Sequence, residues 1–400
     1  MDLYINKNET VSAPAVVLDD MMLTTDLPTT AGSKMLDGYV SLFAAEAADK
    51  LAAAGYTVSG KANVGELSID LLGESSYKGE CTDEKGNLSA ASAEIVKSGE
   101  VKAAINLDVN GMPRRAASLS GLVFVKPTYG TVSRFGTIPA ACSGETVGVM
   151  AKTADDCREI LGVIAGHDDK DGTSLSDEKC ALARAAAKPS KVAVLKAFTA
   201  DIDSDTAAKL DAFKSALAAN GVEVCEIDGA ELLAARPAWN VLMSAELCNN
   251  VSRYDGVKYG YRTPNYTTID ELYTNSRTEA FGELLKTTIL FGSDVLSTEN
   301  YKKVYDKALR VRRVICEQFK KLFGEYDALL LPACSKSAYS VEEVKQNIAL
   351  CFEENLYTAP ASISGLPTVV AGGVQVIGKA FSEGTLFELA KIFEKEVAAK

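Results

Sequence analysis

The 400-residue chain contains one histidine, His167, set in GHDDKDG, a loop by composition. A Ser-His-Asp hydrolase needs an imidazole held beside its nucleophile, so that chemistry has a single candidate base here, in surroundings that suit a turn. Nine cysteines, at 81, 142, 157, 180, 225, 248, 316, 334 and 351, are scattered without a CxxC pair. With no Cys or His partner at ligand spacing, no metal site is expected. The odd count and the scatter read as reduced, mostly buried thiols of a cytoplasmic protein. Arg310, Arg312 and Arg313 form a cationic cluster, and on a helix they read as a solvated or internally paired face. Hydroxyl or amine chemistry that works without imidazole is what remains open.

The stretch that bears on such chemistry is 85–136, KGNLSAASAEIVKSGEVKAAINLDVNGMPRRAASLSGLVFVKPTYGTVSRFG. Its closing part, GLVFVKPTYGTVSRFG, resembles the end of the amidase signature sequence. Enzymes of that family cleave amides with a serine nucleophile, a middle serine and a neutral lysine that draws the proton through it. Peptide N–H groups in a Gly-rich turn hold the oxyanion. Counting back from KPTYGTVSRFG places DVNGMPRRAA on the family's DTGGSIRQPA, and GNLSAAS on GGSSGGS. Upstream, TTAGSKML is similar to TTCASKML, which carries VLDDM onto GIKDN. The resemblance therefore implies Met112 at the nucleophile position, Leu88 at the middle serine and Asp19 at the lysine. Met112 follows Leu88 by 24 positions, the spacing the family text requires.

None of the three can do its job. A thioether has no proton to release, an isobutyl group cannot relay one, and a carboxylate is no substitute for an amine base. A one-residue slip would bring Ser89 to the relay position. No slip restores the nucleophile, because residues 108–117 contain no Ser, Thr, Cys or Lys. The oxyanion turn survives as a remnant, Asp108, Val109, Asn110 and Gly111, and Pro113 just beyond lacks a backbone N–H. The expectation is a collapsed pocket filled by Leu88 and Met112, with no catalytic residue.

AELCNNVSRYDGVKYGYRT (245–263) resembles a segment peculiar to the tRNA-amidotransferase A subunits within this family. SRTEAFGELLKTTILFGSDVLS, YDKALRVRRVI and TAPASISGLPT are similar to later segments of the same subunits. Their grip on glutamine implies Arg312 and Asn355 as ligand residues, although Asn355 lacks the charge of the family's aspartate, and Tyr261 is a further candidate ligand residue. Read without the resemblance, Arg312 makes an internal ion pair. The likeness starts near residue 13, which implies that the family's N-terminal helices are missing, and the hairpin near Gly372 is shortened. The family role is glutamine hydrolysis supplying ammonia for tRNA-dependent transamidation. The degenerate triad turns the expectation to a pseudo-amidase, not an enzyme, acting as a binding or structural partner of B- and C-type amidotransferase subunits or of an active A subunit. The alternatives are a working amidase or glutaminase subunit using other residues, and a sensor for an amino acid or amide. No cofactor is implied.

The elements that would carry these residues read as α/β. Residues 13–20 (APAVVLDD) form an apolar strand, 43–55 a helix stopped by glycine, 92–97 the start of another, and 121–125 a short buried strand. Thr153 is placed to cap the helix that follows it. KVAVL, the helix 204–219 and VEVCEI make a strand–helix–strand unit that favours parallel pairing. Residues 247–278 read as a long loop region with short helices, 298–323 as one long helix, TVVAGGVQVIG as two short strands and 383–399 as a closing helix. The alternation points to a single domain over 1–400 with a mixed, largely buried sheet. The resemblance sharpens this to the amidase-signature α/β/α sandwich, helices covering both sheet faces. A net charge of −12 leaves no basic footprint, so no direct nucleic-acid binding is expected. Apolar runs such as ALLLPA are too short to span a membrane, and MDLYINKNET reads as no secretory signal.

Overall fold

Short β-branched runs become strands and alternate with amphipathic helices in a computed structural model that describes residues 3–12 and 14–398. The strands are β1 (Tyr4–Lys7), β2 (Ala15–Asp19), β3 (Thr57–Ala62), β4 (Cys81–Thr82), β5 (Leu88–Ser89), β6 (Ala103–Asp108), β7 (Val123–Lys126), β8 (Thr146–Ala151), β9 (Lys191–Leu195), β10 (Glu223–Ile227), β11 (Ala328–Pro332), β12 (Thr368–Ala371) and β13 (Val374–Gly378). Eleven of them form one sheet in the order β1-β3-β2-β6-β8-β7-β12-β13-β11-β9-β10, while β4 and β5 pair separately. Pairing is parallel for β2 with β3 and β6, and for β9 with β10 and β11. The other neighbours in the sheet are antiparallel.

Every residue of β2, β6, β8, β11 and β13 is buried, which is why their sequences run apolar rather than alternating and why both sheet faces must be covered. At the far edge β10 is half exposed and carries Glu223 and Glu226, charges that discourage edge-to-edge pairing. The cover comes from α1 (Glu46–Ala53), α2 (Ala91–Ser98), α3 (Met112–Ser120), α4 (Ala154–Ile164), α5 (Asp177–Leu182), α6 (Ser204–Ala219), α7 (Ala235–Asn250), α8 (Ile269–Ala280), α9 (Glu283–Val295), α10 (Asp306–Leu322), α11 (Val341–Gln346), α12 (Leu350–Ser364) and α13 (Glu383–Ala398). Helices α9, α10 and α12 pack on α7, and α12 also reaches inward to α3 through side-chain hydrogen bonds.

The β9–α6–β10 unit is parallel as expected, and Thr153 caps α4 by accepting from Asp156 N. The segment 247–278 is more helical than its composition implied. Helix α7 continues to Asn250, and α8 is started by a capping box in which Thr268 and Glu271 satisfy each other's backbone. The long helix expected over 298–323 instead begins with a π-helical turn, Tyr301–Tyr305, before α10. Ala13 and residue 399, the outer ends of two expected elements, lie outside the described residues. All nine cysteines are unpaired, and five of them are buried.

Candidate active site

Strand β6 ends on Asp108, and the turn 108–111 sends the chain into α3. Gly111 caps that helix at φ +88°, and a Cβ there would run into the Thr358 side chain, so both the backbone angle and the approach of α12 require glycine. Asp108 Oδ1 accepts from Gly111 N at 3.0 Å. Arg114 Nε donates to Asp108 Oδ2 at 2.7 Å and its Nη2 to Oδ1 at 3.1 Å, and both side chains are fully buried. The remaining donors of Arg114 reach Thr358 O (2.8 Å), Gln375 Oε1 (2.9 Å) and Ser362 Oγ (2.6 Å). A buried ion pair is tolerable when its spare hydrogen-bonding capacity is met in this way, and here it ties α3 to α12 and β13.

Met112 is the first residue of α3 and is buried, with Pro113 second. Proline suits that place because the first helical N–H groups lack intrahelical partners. It also removes a donor that the helix N-terminus would otherwise offer an anion.

Beside the turn lies Arg115, also fully buried. Its Nη1 donates to Asn110 O (3.0 Å) and Thr358 Oγ1 (3.3 Å), Nη2 to Asp70 O (2.9 Å) and Nε to Leu71 O (3.1 Å). Burial pushes the Asp70 carboxyl up, opposed by hydrogen bonds from Ser75 and by the Arg115 charge. Glu74 is pushed up to about 7 by burial and then by the neighbouring Asp70 charge. Asn110 donates to Ile69 O (2.8 Å) and accepts from Trp239 Nε1 (3.1 Å). Asn355 donates to Asn240 Oδ1 (2.7 Å), and its amide turned over would reach Asn110 Oδ1 and Cys351 O, each at 3.0 Å. The space in front of the turn is thus filled by one guanidinium and three amides that satisfy one another.

Asp19, at the end of β2, holds the peptide N–H of Leu107 (2.6 Å) and of Met21 (3.2 Å), so it braces the strand that leads to the turn. Burial raises its carboxyl to about 7, against those two N–H groups. Asp20 is raised to about 6 by burial, partly offset by the Lys61 charge. Lys61, buried on β3, donates to Met22 O and Thr29 Oγ1 and is lowered to about 8 by burial. Leu88 is buried, and its N–H donates to Tyr339 O (2.8 Å). Ser89 Oγ donates to Glu94 Oε1 at 2.6 Å.

The structure therefore gathers Asp108, Asn110, Gly111, Met112 and Asn355 in one buried region. Val109 is buried in the same turn. Arg312 and Tyr261 hydrogen bond elsewhere. Arg312 donates to Ser143 Oγ (3.1 Å) and Ser143 O (2.9 Å), so a loop serine takes the place of the carboxylate expected as its partner. Tyr261 donates to Glu279 Oε2 (2.6 Å), with Lys34 over its ring. His167 sits in an exposed loop against Leu175 O and Asp169. Sequence reasoning passed over Arg114, Arg115, Trp239, Asn240 and Thr358. The available signal was the arginine pair itself, two charges in a run otherwise uncharged from Val109 to Val125.

A mixed eleven-stranded sheet covered by helices is the architecture of amidase-type α/β proteins, and here a buried Asp–Arg turn leads from its interior strand β6 into a helix. Residues 14–387 match the Amidase family, and the chain belongs to it. It is 35% identical over 398 residues to the A subunit of glutamyl-tRNA(Gln) amidotransferase from Acinetobacter baumannii, covering 94% of this chain and 81% of that protein. It is 34% identical over 416 residues to the same protein of Coxiella burnetii, covering 99% and 86%. The crystal structure of the Thermotoga maritima counterpart superposes with a TM-score of 0.81 at 27% identity, over 98% of this chain and 87% of that one. The expected sandwich is the fold observed.

Proposed function

We propose that this chain, as one amidase-type domain, is a pseudo-amidase that acts as a binding or structural partner in an assembly of amidotransferase type. One observation carries the reading: Met112 stands at the head of α3 while the Arg115 guanidinium, bonded to Asn110 O, occupies the space beside the turn. Amide hydrolysis by this architecture needs an ionisable nucleophile, a base to take its proton and free N–H groups for the oxyanion. A thioether, a proline and a plugged pocket supply none of them. Losing a whole triad leaves only what binding contributes.

The partner class follows from the relatives, whose name is that of one component of an amidotransferase. B- and C-type subunits, or an active A subunit, are the partners to test, and with a net charge of −12 the partner would supply any grip on tRNA. A cytoplasmic setting suits nine unpaired thiols. No helix of the described residues is long and apolar enough to cross a membrane. The test is ammonia and glutamate release from glutamine by the purified chain, together with co-purification from cells expressing the B- and C-type subunits. No turnover and a stable complex are expected. Turnover that survives Met112→Ala, or a chain that stays alone beside those subunits, would sink the reading.

A further inference from the structure

A cleft of about 340 Å3 opens between α4, α5, α13 and the loop after β7, away from the turn 108–111 and its neighbours. Its walls are largely apolar and include Leu161, Ala165, Ala183 and Phe387. Gly162 lies in the last turn of α4, where alanine would serve the helix better, and a Cβ added to it would meet nothing within 4 Å. That glycine leaves the floor of the cleft open. Thr131 also lines it, fully buried, and its Oγ1 has no protein partner.

The polar lip is cationic. Arg184 Nη2 donates to Gly162 O (3.1 Å), and Arg158 Nη2 donates to Arg184 O (3.3 Å), which sets both guanidiniums at the cleft. Glu159 belongs to the same lining, but its Oε1 already accepts from Tyr56 OH (2.6 Å) and pairs with Lys102 (2.6 Å). Arg158 keeps one long, half-exposed contact to Glu388 at 3.4 Å. Each arginine has donors left over, in the planar fork that matches a carboxylate.

We propose that this cleft binds a small organic carboxylate with an apolar body, its head on Arg158 and Arg184 and its tail over Gly162 against Leu161, Ala165 and Phe387. The size is in the ordinary range for small-molecule sites. An inorganic anion would leave the apolar walls uncovered. The site is independent of the pseudo-amidase reading.

Hexanoate is the probe, with hexanamide and sodium chloride as controls, and binding to the full chain is read by calorimetric titration. Hexanoate is expected to bind at least about tenfold more tightly than hexanamide, the factor that a charge-assisted pair supplies. Arg184→Gln, an exposed change, should weaken hexanoate by about the same factor. Gly162→Leu, which fills the open space and favours the helix, should abolish binding while thermal unfolding stays cooperative. Equal affinity for acid and amide, no binding of either, or full binding by Gly162→Leu would overturn the proposal.

Discussion

Replacing Arg115 by alanine asks whether the guanidinium really is a plug. Three of its hydrogen bonds are 3.1 Å or shorter, to the carbonyls of Asp70, Leu71 and Asn110. Hydrogen bonds from a charged donor contribute about 1.5–3 kcal/mol each, and water entering the vacated polar space returns part of the loss. The expected destabilisation is therefore about 3–5 kcal/mol, a large share of the roughly 5–15 kcal/mol that holds a typical native chain. The assay is urea unfolding followed by the fluorescence of Trp239, the only tryptophan, whose indole donates to Asn110 in the same network. The vacated space keeps all its acceptors, so low millimolar guanidinium chloride should raise the midpoint of the variant. At one hundred times its dissociation constant it would restore about 2.7 kcal/mol. The same salt should leave the unaltered protein unmoved. A loss below about 1 kcal/mol, or a rescue no larger than that of sodium chloride, would refute the plug.

Met112→Ser should produce no amide hydrolysis, because Leu88 and Asp19 still offer no proton path, and an ammonia-release assay on glutamine above the buffer rate would contradict this. Asp19, Asp20 and Glu66 are raised by burial to about 7, 6 and 7, so between pH 5 and 7 the native state retains protons that the unfolded chain has given up. Stability should fall by at least about 1 kcal/mol across that window, seen as a dropping urea midpoint; Lys61, lowered to about 8, acts only above it, and a rising midpoint would show the carboxyls to be ionised. Gly111→Ala puts a Cβ against Thr358 at a positive φ and should cost about 2 kcal/mol or more, so an unchanged thermal midpoint would mean that α12 does not press on the turn.

Much of the fold was legible because local rules and burial agreed. KVAVL, Thr153 and the closing hairpin each carry their own signal and behave accordingly. Strand β6 was harder, since AAINLD contains an Asn and an Asp that look wrong in a fully buried strand. Their partners lie elsewhere: Asn106 Nδ2 donates to Ser92 Oγ, although its Oδ1 has no protein partner, and Asp108 accepts from Arg114. Polar residues whose partners lie outside the segment hide a strand from any local reading.

The residue types alone settled that no hydroxyl, thiol or amine stands in 108–117, since a side chain's chemistry travels with its letter wherever the backbone goes. Only the folded chain decided what occupies the room beside that stretch. Arg115 finds its acceptors in 70–71 and on Asn110, and Arg312 takes Ser143 in place of a carboxylate. Hydrogen-bond partners of a buried cation are chosen by which carbonyls the tertiary packing brings within 3 Å, and residues forty or more positions apart carry no local mark of that proximity.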